Sequence, residues 1–255
     1  MKQLYYYVII LFLWMGCTQS NTVQTPGTPV GTNSMRPNNI PSNTEQILES
    51  NKTITDVFDK SEINELAVIV DFFNAQICAA QKEEKATLTQ CYQHFFEMIK
   101  ECEISGSFDS IPFYIPYPEQ QNLYSQLSED VFDQIWRIEH RWFYSSQDSV
   151  EIISITYKGK YLKFLKEFGK ENGLIEEYAD DFEQMGDIAP TCFSMVMNEY
   201  QRFDVNDIRM QLFLAMHYLT LNDTFEGSKK YKPNTSYMND RLETLPKSAK
   251  VLKER

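Results

Sequence analysis

The spacing of hydrophobic residues along the middle of the chain predicts a mainly α-helical domain. Apolar side chains recur at intervals of three and four positions, which places them on one face of a helix. The clearest stripes are Ile63-Leu66-Val70-Phe73-Ile77, Leu88-Cys91-Phe95-Met98-Cys102, Tyr161-Leu162-Leu165-Phe168 and Ile208-Leu212-Ala215-Met216-Leu219. We therefore expect a single irregular domain of about seven to eight helices over residues 44–225. At most a small two-stranded β element is expected beside them.

Polar residues ahead of these stripes indicate where several helices begin. Ser61 is the expected N-cap of the first stripe, because a side-chain oxygen there accepts a hydrogen bond from a free backbone amide. Ser128 is expected to start a helix that runs through Phe143. Asp204 or Asn206 is expected to cap the last strong helix.

One segment favours a strand. Residues 149–157, SVEIISITY, form the one run that is rich in β-branched side chains. The candidate pairing partner of this strand is the Pro-rich aromatic segment 105–119. Pro112, Pro116 and Pro118 would restrict that segment to the edge of a sheet, because proline donates no backbone hydrogen bond.

Two of the five cysteines flank the polar turn between the first two predicted helices. Cys78 lies near the end of one helix and Cys91 near the start of the next, at similar distances from the turn, so the two should face each other. We predict a Cys78–Cys91 disulfide that closes a loop of about 14 residues and contributes on the order of 3 kcal/mol. The alternative is a pair of buried thiols that pack as small apolar side chains.

The first twenty residues are organised differently from the domain. Lys2 precedes an apolar run at positions 4–15, which as a helix would span roughly 18 Å, short of the roughly 30 Å hydrocarbon core of a bilayer. Leu13, Gly16 and Cys17 follow the order of an aliphatic residue, a small residue and a cysteine. These residues resemble the lipobox-type signal peptide of bacterial lipoproteins, although the bulky pair after Leu13 departs from that pattern.

The resemblance implies that residues 1–16 are a removed signal peptide and that Cys17 is acylated. It places the protein in the cell envelope, held to the membrane by lipid, and the uncharged Thr18 and Gln19 favour the outer membrane facing the periplasm. Residues 17–43 are then a tether, too poor in apolar side chains to fold. An ordinary signal peptide or an uncleaved anchor is the alternative.

Charge is distributed unevenly along the chain. The whole sequence has 24 Lys and Arg against 36 Asp and Glu, a net charge of −12. Residues 44–225 hold 14 basic and 32 acidic residues, a net of −18, whereas the polar tail 226–255 holds eight basic and four acidic, a net of +4. So acidic a domain excludes nucleic-acid binding, because phosphate contacts require clustered Lys and Arg.

The densest acidic block follows a lysine-rich helix, which carries five lysines between positions 158 and 170. Consecutive helices of opposite charge are expected to screen each other. The alternative is an exposed acidic ridge that attracts a basic protein partner. Tyr114 and Tyr117 are further candidate contacts, because Tyr is enriched at interfaces, or else they cover the core. The ridge residues are Glu176, Glu177, Asp180, Asp181 and Glu183.

No catalytic, cofactor or metal motif stands out. The three histidines fall outside HExxH patterns, no CxxC occurs and the nine glycines are scattered, so neither a zinc site nor a phosphate-binding loop is predicted. Glu139 and His140 would point about 100° apart on a helix, which disfavours a catalytic dyad. His217 is expected to be a buried structural histidine.

The sequence therefore favours a non-enzymatic binding lipoprotein without a cofactor or a metal ion. One form of this hypothesis is an immunity-type protein that neutralises a basic periplasmic toxin. The alternatives are a cell-wall or glycan hydrolase whose carboxylates are dispersed along the chain, and a small-molecule carrier with an enclosed apolar pocket.

Overall fold

The computed structural model describes residues 43–80, 86–104, 115–143 and 148–229, all of which belong to the compact unit Pro41–Arg255. These residues form a mainly helical domain with one small antiparallel sheet, which confirms the predicted fold class. The predicted signal peptide, Cys17, the tether before residue 43, Tyr114 and the tail from residue 230 lie outside these ranges.

Ten α-helices occur in the described residues: α1 (Asn43–Ser50), α2 (Lys52–Thr55), α3 (Lys60–Ala79), α4 (Leu88–Ile104), α5 (Tyr117–Tyr124), α6 (Glu129–Ile135), α7 (Lys160–Gly169), α8 (Gly173–Met185), α9 (Pro190–Glu199) and α10 (Ile208–Lys229). Strands β1 (Trp136–Phe143) and β2 (Asp148–Ile155) lie between α6 and α7, and a 3₁₀ turn, Tyr200–Arg202, follows α9. The two helices beyond the predicted number are α1 and α2. They have eight and four residues, too few for a hydrophobic period to show.

Helix α10 lies at the centre of the domain. Residues 210–220 are buried without interruption, so this helix is enclosed on all sides rather than along a single stripe. It packs against α1, α3, α5 and β2. The Tyr218 ring meets Phe95 edge to face at 4.7 Å and stacks on Phe73 at 6.2 Å, which joins α10 to α4 and α3.

The predicted disulfide is present. Cys78 and Cys91 are bonded across the α3–α4 connection, with their Cα atoms 4.9 Å apart and a sequence separation of 13. Cys192 is a buried free thiol, and the side chain of Cys102 lies outside the described part of the chain.

The start of α3 differs from the prediction. Asp59, and not Ser61, is the N-cap, and its carboxylate accepts hydrogen bonds from the backbone amides of Ser61 (2.9 Å) and Glu62 (3.1 Å). Glu62 in turn accepts from the Asp59 amide at 2.7 Å, which completes a capping box. This reciprocal pair binds three backbone amides, those of Asp59, Ser61 and Glu62, which Ser61 alone would not do.

The start of α10 also differs from the prediction. Asp207 directly precedes the helix and accepts from the Arg209 amide at 2.9 Å, while its carbonyl accepts from the Gln211 amide at 3.1 Å. The Asp204 carboxylate instead accepts from the Asn206 amide at 3.0 Å, which closes a turn just before the helix begins. Neither Asp204 nor Asn206 is therefore the cap.

The predicted helix from Ser128 to Phe143 is wrong in its second half. Ser128 is the N-cap, but α6 ends at Ile135 and the chain continues as β1. Strand β1 pairs antiparallel with β2, the predicted strand, in a register that runs from Trp136↔Ile155 to Phe143↔Asp148. Of the earlier candidate partner 105–119, residues 105–114 lie outside the described ranges, and α5 begins at Tyr117.

Within the described residues, no helix combines the length and the hydropathy that crossing a membrane requires.

Candidate functional site

Helix α8 presents its acidic residues on the outside of the domain. Its inward side is apolar and buried, through Leu174, Ile175, Tyr178, Ala179 and Phe182. The positions between them carry carboxylates: four are exposed and Asp181 is half-buried. We call the following five residues the acidic face of α8: Glu176, Glu177, Asp180, Asp181 and Glu183.

Both ends of α8 are fixed by local hydrogen bonding. The Asn172 side chain accepts from the amides of Leu174 (3.1 Å) and Ile175 (3.4 Å), which caps the first turn. Gly186 ends the helix with a φ of 74°, a left-handed conformation that favours glycine. The length of helix that displays the carboxylates is therefore defined at each end.

The lysines of α7 neutralise one residue of the acidic face. Lys166 forms an ion pair with Glu183, with Nζ and Oε1 2.5 Å apart. The other four lysines of this block have contacts elsewhere: Lys160 with Glu62 at 2.6 Å, Lys170 with Glu167 at 2.5 Å, Lys163 with the carbonyl of Asp56 at 3.4 Å, and Lys158 over the Tyr157 ring at 5.0 Å from the centroid. Within the described residues, the two helices therefore screen each other through one ion pair, Lys166–Glu183.

The remaining four carboxylates of the acidic face form no ion pair within the described residues. Glu176 and Asp180 lie on the stripe that continues to Glu183 at helical spacing. Glu177 and Asp181 lie on the neighbouring stripe, with Leu174, and face the cleft described next. Within the described residues, the negative charge of α8 is therefore largely uncompensated.

A cleft of about 420 Å³, which we call the acidic cleft, separates α8 from α9. Leu174 and Met195 supply its apolar surface, and Thr191, Ser194 and Asn198 add neutral polar groups. Its charged lining consists of Glu177, Asp181, Glu199 and Arg202. Arg202 pairs with Glu199 at 3.0 Å, so three carboxylates and one guanidinium meet in one cleft.

Tyr117 lies on another part of the fold. It begins α5, and Gln120 of that helix donates to the carbonyl of Leu219 at 2.8 Å, towards the C-terminal half of α10. Helix α8 instead contacts the earlier part of α10, where the Tyr178 ring meets Phe213 at 4.8 Å. The structure thus places Tyr117 and the acidic face on different helices, and Tyr114 lies outside the described residues.

His217 is enclosed in the core. Its Nδ1 atom lies 2.9 Å from the Tyr178 hydroxyl, and Phe193, Phe213 and Tyr218 surround the ring. Burial lowers the pKa of His217 to about 3, so the imidazole is neutral. This is the structural histidine that the sequence favoured.

The Cys192 thiol and the neighbouring pair Glu139 and His140 are the remaining candidate reactive groups. Burial raises the pKa of the Cys192 thiol to about 11, which keeps it protonated and weakly nucleophilic at neutral pH. Glu139 and His140 lie in a strand rather than a helix, so they point to opposite faces of the sheet. Glu139 accepts from Arg137 Nε at 2.6 Å, while the exposed His140 lies 3.9 Å from Glu151. The structure therefore assembles no dyad from Glu139 and His140.

Within the described part of the chain, no three His, Cys, Asp or Glu residues are arranged to hold a metal ion. Comparisons with protein families, with curated proteins and with solved structures find no match. The geometry of the acidic face and of the acidic cleft is therefore the basis for a functional proposal.

Proposed function

We propose that this protein is an envelope-anchored, non-enzymatic lipoprotein that binds a basic protein partner through the acidic face of α8. The observation that carries the proposal is the set of four carboxylates on one helix that form no ion pair within the described residues. An immunity-type inhibitor of a periplasmic toxin is the concrete form that we favour.

The spacing of these carboxylates makes their fields add. At a rise of about 1.5 Å per residue, the acidic face extends roughly 10 Å along the helix axis. This is comparable to the Debye length of about 8–10 Å at physiological ionic strength, so an approaching cation senses the carboxylates together. Such a patch steers a basic partner and raises its association rate.

The direct test compares two variants of the full-length chain, purified in detergent, that have the same net charge. The clustered variant neutralises the patch, with Glu176→Gln, Glu177→Gln, Asp180→Asn and Asp181→Asn. The dispersed variant carries Glu101→Gln, Asp130→Asn, Asp133→Asn and Glu151→Gln, four exposed sites on other elements. Each is used to capture proteins from envelope extract at low salt, with elution by a salt gradient and quantification by mass spectrometry.

We expect the wild type and the dispersed variant to retain the same basic protein and the clustered variant to release it. Retention of an identical protein set by all three chains would show that overall charge, and not this face, accounts for binding. The immunity form predicts in addition that cells lacking this protein are growth-inhibited by toxin-bearing kin. The wild-type chain, but not the clustered variant, should restore their growth.

A second candidate function is the glycan hydrolase, which the acidic cleft favours because Glu177, Asp181 and Glu199 converge there. Glycoside hydrolysis requires two carboxylates on either side of the scissile bond. Clearing of a cell-wall zymogram by the wild type, abolished by Glu177→Gln or Glu199→Gln, would support this candidate. Clearing that persists in both of these variants would point to a contaminating enzyme, and loss of clearing in the dispersed variant as well would show that the effect is not specific to the acidic cleft.

A further inference from the structure

A second cleft, which we call the aromatic cleft, lies between α4 and residues 200–205, the segment that joins α9 to α10. It has a volume of about 320 Å³. Its apolar surface comes from Tyr92, Phe96, Tyr200, Phe203 and Val205. Its polar residues are Thr89, Gln93, Glu97 and Gln201, all exposed.

The apolar part of the aromatic cleft consists largely of ring surface. Phe96 is almost fully buried, and the half-buried Tyr200 stacks on it with centroids 5.0 Å apart and planes at 26°. Tyr92 uses its hydroxyl in the core, where it donates to Asn74 Oδ1 at 2.8 Å, so its ring is what lines the cleft. Phe203 meets Phe96 at 6.2 Å and adds a third side.

The polar rim offers both donors and acceptors. Gln93 Nε2 donates to Glu97 Oε1 at 2.9 Å, which orients the two side chains and leaves the Gln93 carbonyl and the second Glu97 oxygen as acceptors. Gln201 supplies an amide with two donors and one acceptor, and Thr89 supplies a hydroxyl. Among the described residues, no Lys or Arg lines the cleft. Lys100 is not a lining residue, but its Nζ lies over the Tyr200 ring, 5.9 Å from the centroid.

This lining discriminates among classes of ligand. Phosphates and other anions bind most strongly to Lys or Arg, and neither is among the described lining residues. A polycationic segment could pair with one carboxylate of the described lining, that of Glu97, which already accepts a hydrogen bond from Gln93. An acyl chain would make no use of the amides and the hydroxyl of the rim, whereas a ligand with hydroxyl groups would bind both the rings and the rim.

We propose that the aromatic cleft binds a neutral saccharide ring. One face of a pyranose presents C–H groups that pack on an aromatic ring, while its equatorial hydroxyls accept and donate at its edge. Tyr200 would be the stacking platform, and Gln93, Glu97 and Gln201 would bind the hydroxyls. The aromatic cleft shares no lining residue with the acidic cleft, so this inference does not rest on the proposed protein-binding function.

The experiment is saturation-transfer difference NMR on the full-length chain, held in a non-glycosidic detergent so that no sugar headgroup competes. The probes are three separate tetrasaccharides, each built from one β1,4-linked sugar: N-acetylglucosamine, glucose or mannose. We expect millimolar binding of at least one probe, with saturation reaching its ring C–H protons. Tyr200→Ala should weaken that binding at least about tenfold, whereas Tyr200→Phe should retain it because the ring provides the contact.

Two further variants separate binding from folding. Tyr157→Ala removes an exposed tyrosine that does not line the aromatic cleft, and it should leave affinity unchanged. Thr89→Trp fills the cleft from an exposed position, without deleting any packed ring, and should abolish binding. If Tyr200→Ala proves unstable in a thermal melt, Thr89→Trp decides the question alone.

Three results would overturn the proposal. One is no saturation transfer from any of the three tetrasaccharides at about 10 mM. Another is unchanged affinity in Tyr200→Ala and Thr89→Trp, which would locate the sugar elsewhere. The third is binding of p-cresol without any saccharide, which would make a partner's aromatic side chain the occupant.

Discussion

The hydroxyl of Tyr178 lies 2.9 Å from Nδ1 of His217, and this hydrogen bond joins the inner side of α8 to the central helix α10. Both side chains are fully buried. The Nε2 atom of His217 has no hydrogen-bond partner in the described structure. Protonating this ring would therefore place a charge in the core beside aromatic side chains.

Stability should fall in acid because of His217. Its pKa is about 3 in the folded protein, against an ordinary value of 6.5. Below pH 6.5 the unfolded chain binds a proton that the folded chain does not, so the free energy of unfolding decreases as the pH falls towards 3. Between pH 6.5 and 4.5 we expect a loss of about 2 kcal/mol from this residue.

Urea titrations at a series of pH values measure that loss. His217→Gln removes the titrating ring, so its pH dependence over this range should be flatter than that of the wild type by about 2 kcal/mol. His140→Gln is the matched control, since His140 is exposed and lies in β1. Parallel pH profiles for the wild type and His217→Gln would contradict the expected contribution.

The Cys78–Cys91 disulfide should contribute on the order of 3 kcal/mol to the free energy of unfolding, because it restricts the unfolded chain. The double variant Cys78→Ala with Cys91→Ala should lower the urea midpoint and abolish its response to dithiothreitol. Cys192→Ala should still respond to dithiothreitol, because that cysteine is a free thiol. A wild-type midpoint that reductant leaves unchanged would argue against the bond.

Substitutions at Gly159 and Gly173 can be compared, because the two glycines differ in how closely other backbone atoms approach them. A Cβ at position 159 would lie 2.1 Å from the carbonyl oxygen of Gln134, whereas one at position 173 meets nothing within 4 Å. Gly159→Ala should therefore lower the free energy of unfolding by more than about 2 kcal/mol. Gly173→Ala, at the first residue of α8, should be neutral or stabilising by up to about 1 kcal/mol. Thermal melts of equal midpoint for the two variants would be inconsistent with this contact.

The N-terminal prediction is tested by metabolic labelling. The wild-type chain should incorporate radiolabelled palmitate and sediment with membranes, because several acyl chains on one residue anchor firmly. Cys17→Ser should lose both properties, while Cys192→Ser should keep the label. Label that persists in Cys17→Ser would assign the anchor to another residue.

The helical part of the fold was predictable because its signal is local. The stripes of α3, α4, α7 and α10 and the disulfide followed from spacing alone. Strand β1 was missed because its residues also suit a helix, and its conformation is decided by distant partners. Trp136 Nε1 donates to Thr220 Oγ1 at 2.8 Å across 84 positions, a contact that no local pattern encodes.

The candidate sites also differ in whether local sequence or contacts between distant segments define them. The acidic face was predictable because its five carboxylates are nearly consecutive in the sequence. That four of the five form no ion pair with the α7 lysines was not predictable, because Lys160, for example, pairs with Glu62, 98 positions away. The aromatic cleft gave no sequence signal, because Phe96 and Tyr200 come from distant segments and meet only when α4 and α9 pack.

The order of the elements along the chain has a consequence for biosynthesis. Helix α10 fills the centre of the domain but is the last helix of the described residues, so α1, α3 and β2 lack their common packing partner until residue 220 has left the ribosome. Domains generally fold as units during synthesis, and the described part of this one is completed only by α10. The elements made earlier are therefore expected to remain incompletely packed, with apolar surface exposed, until α10 has been synthesised.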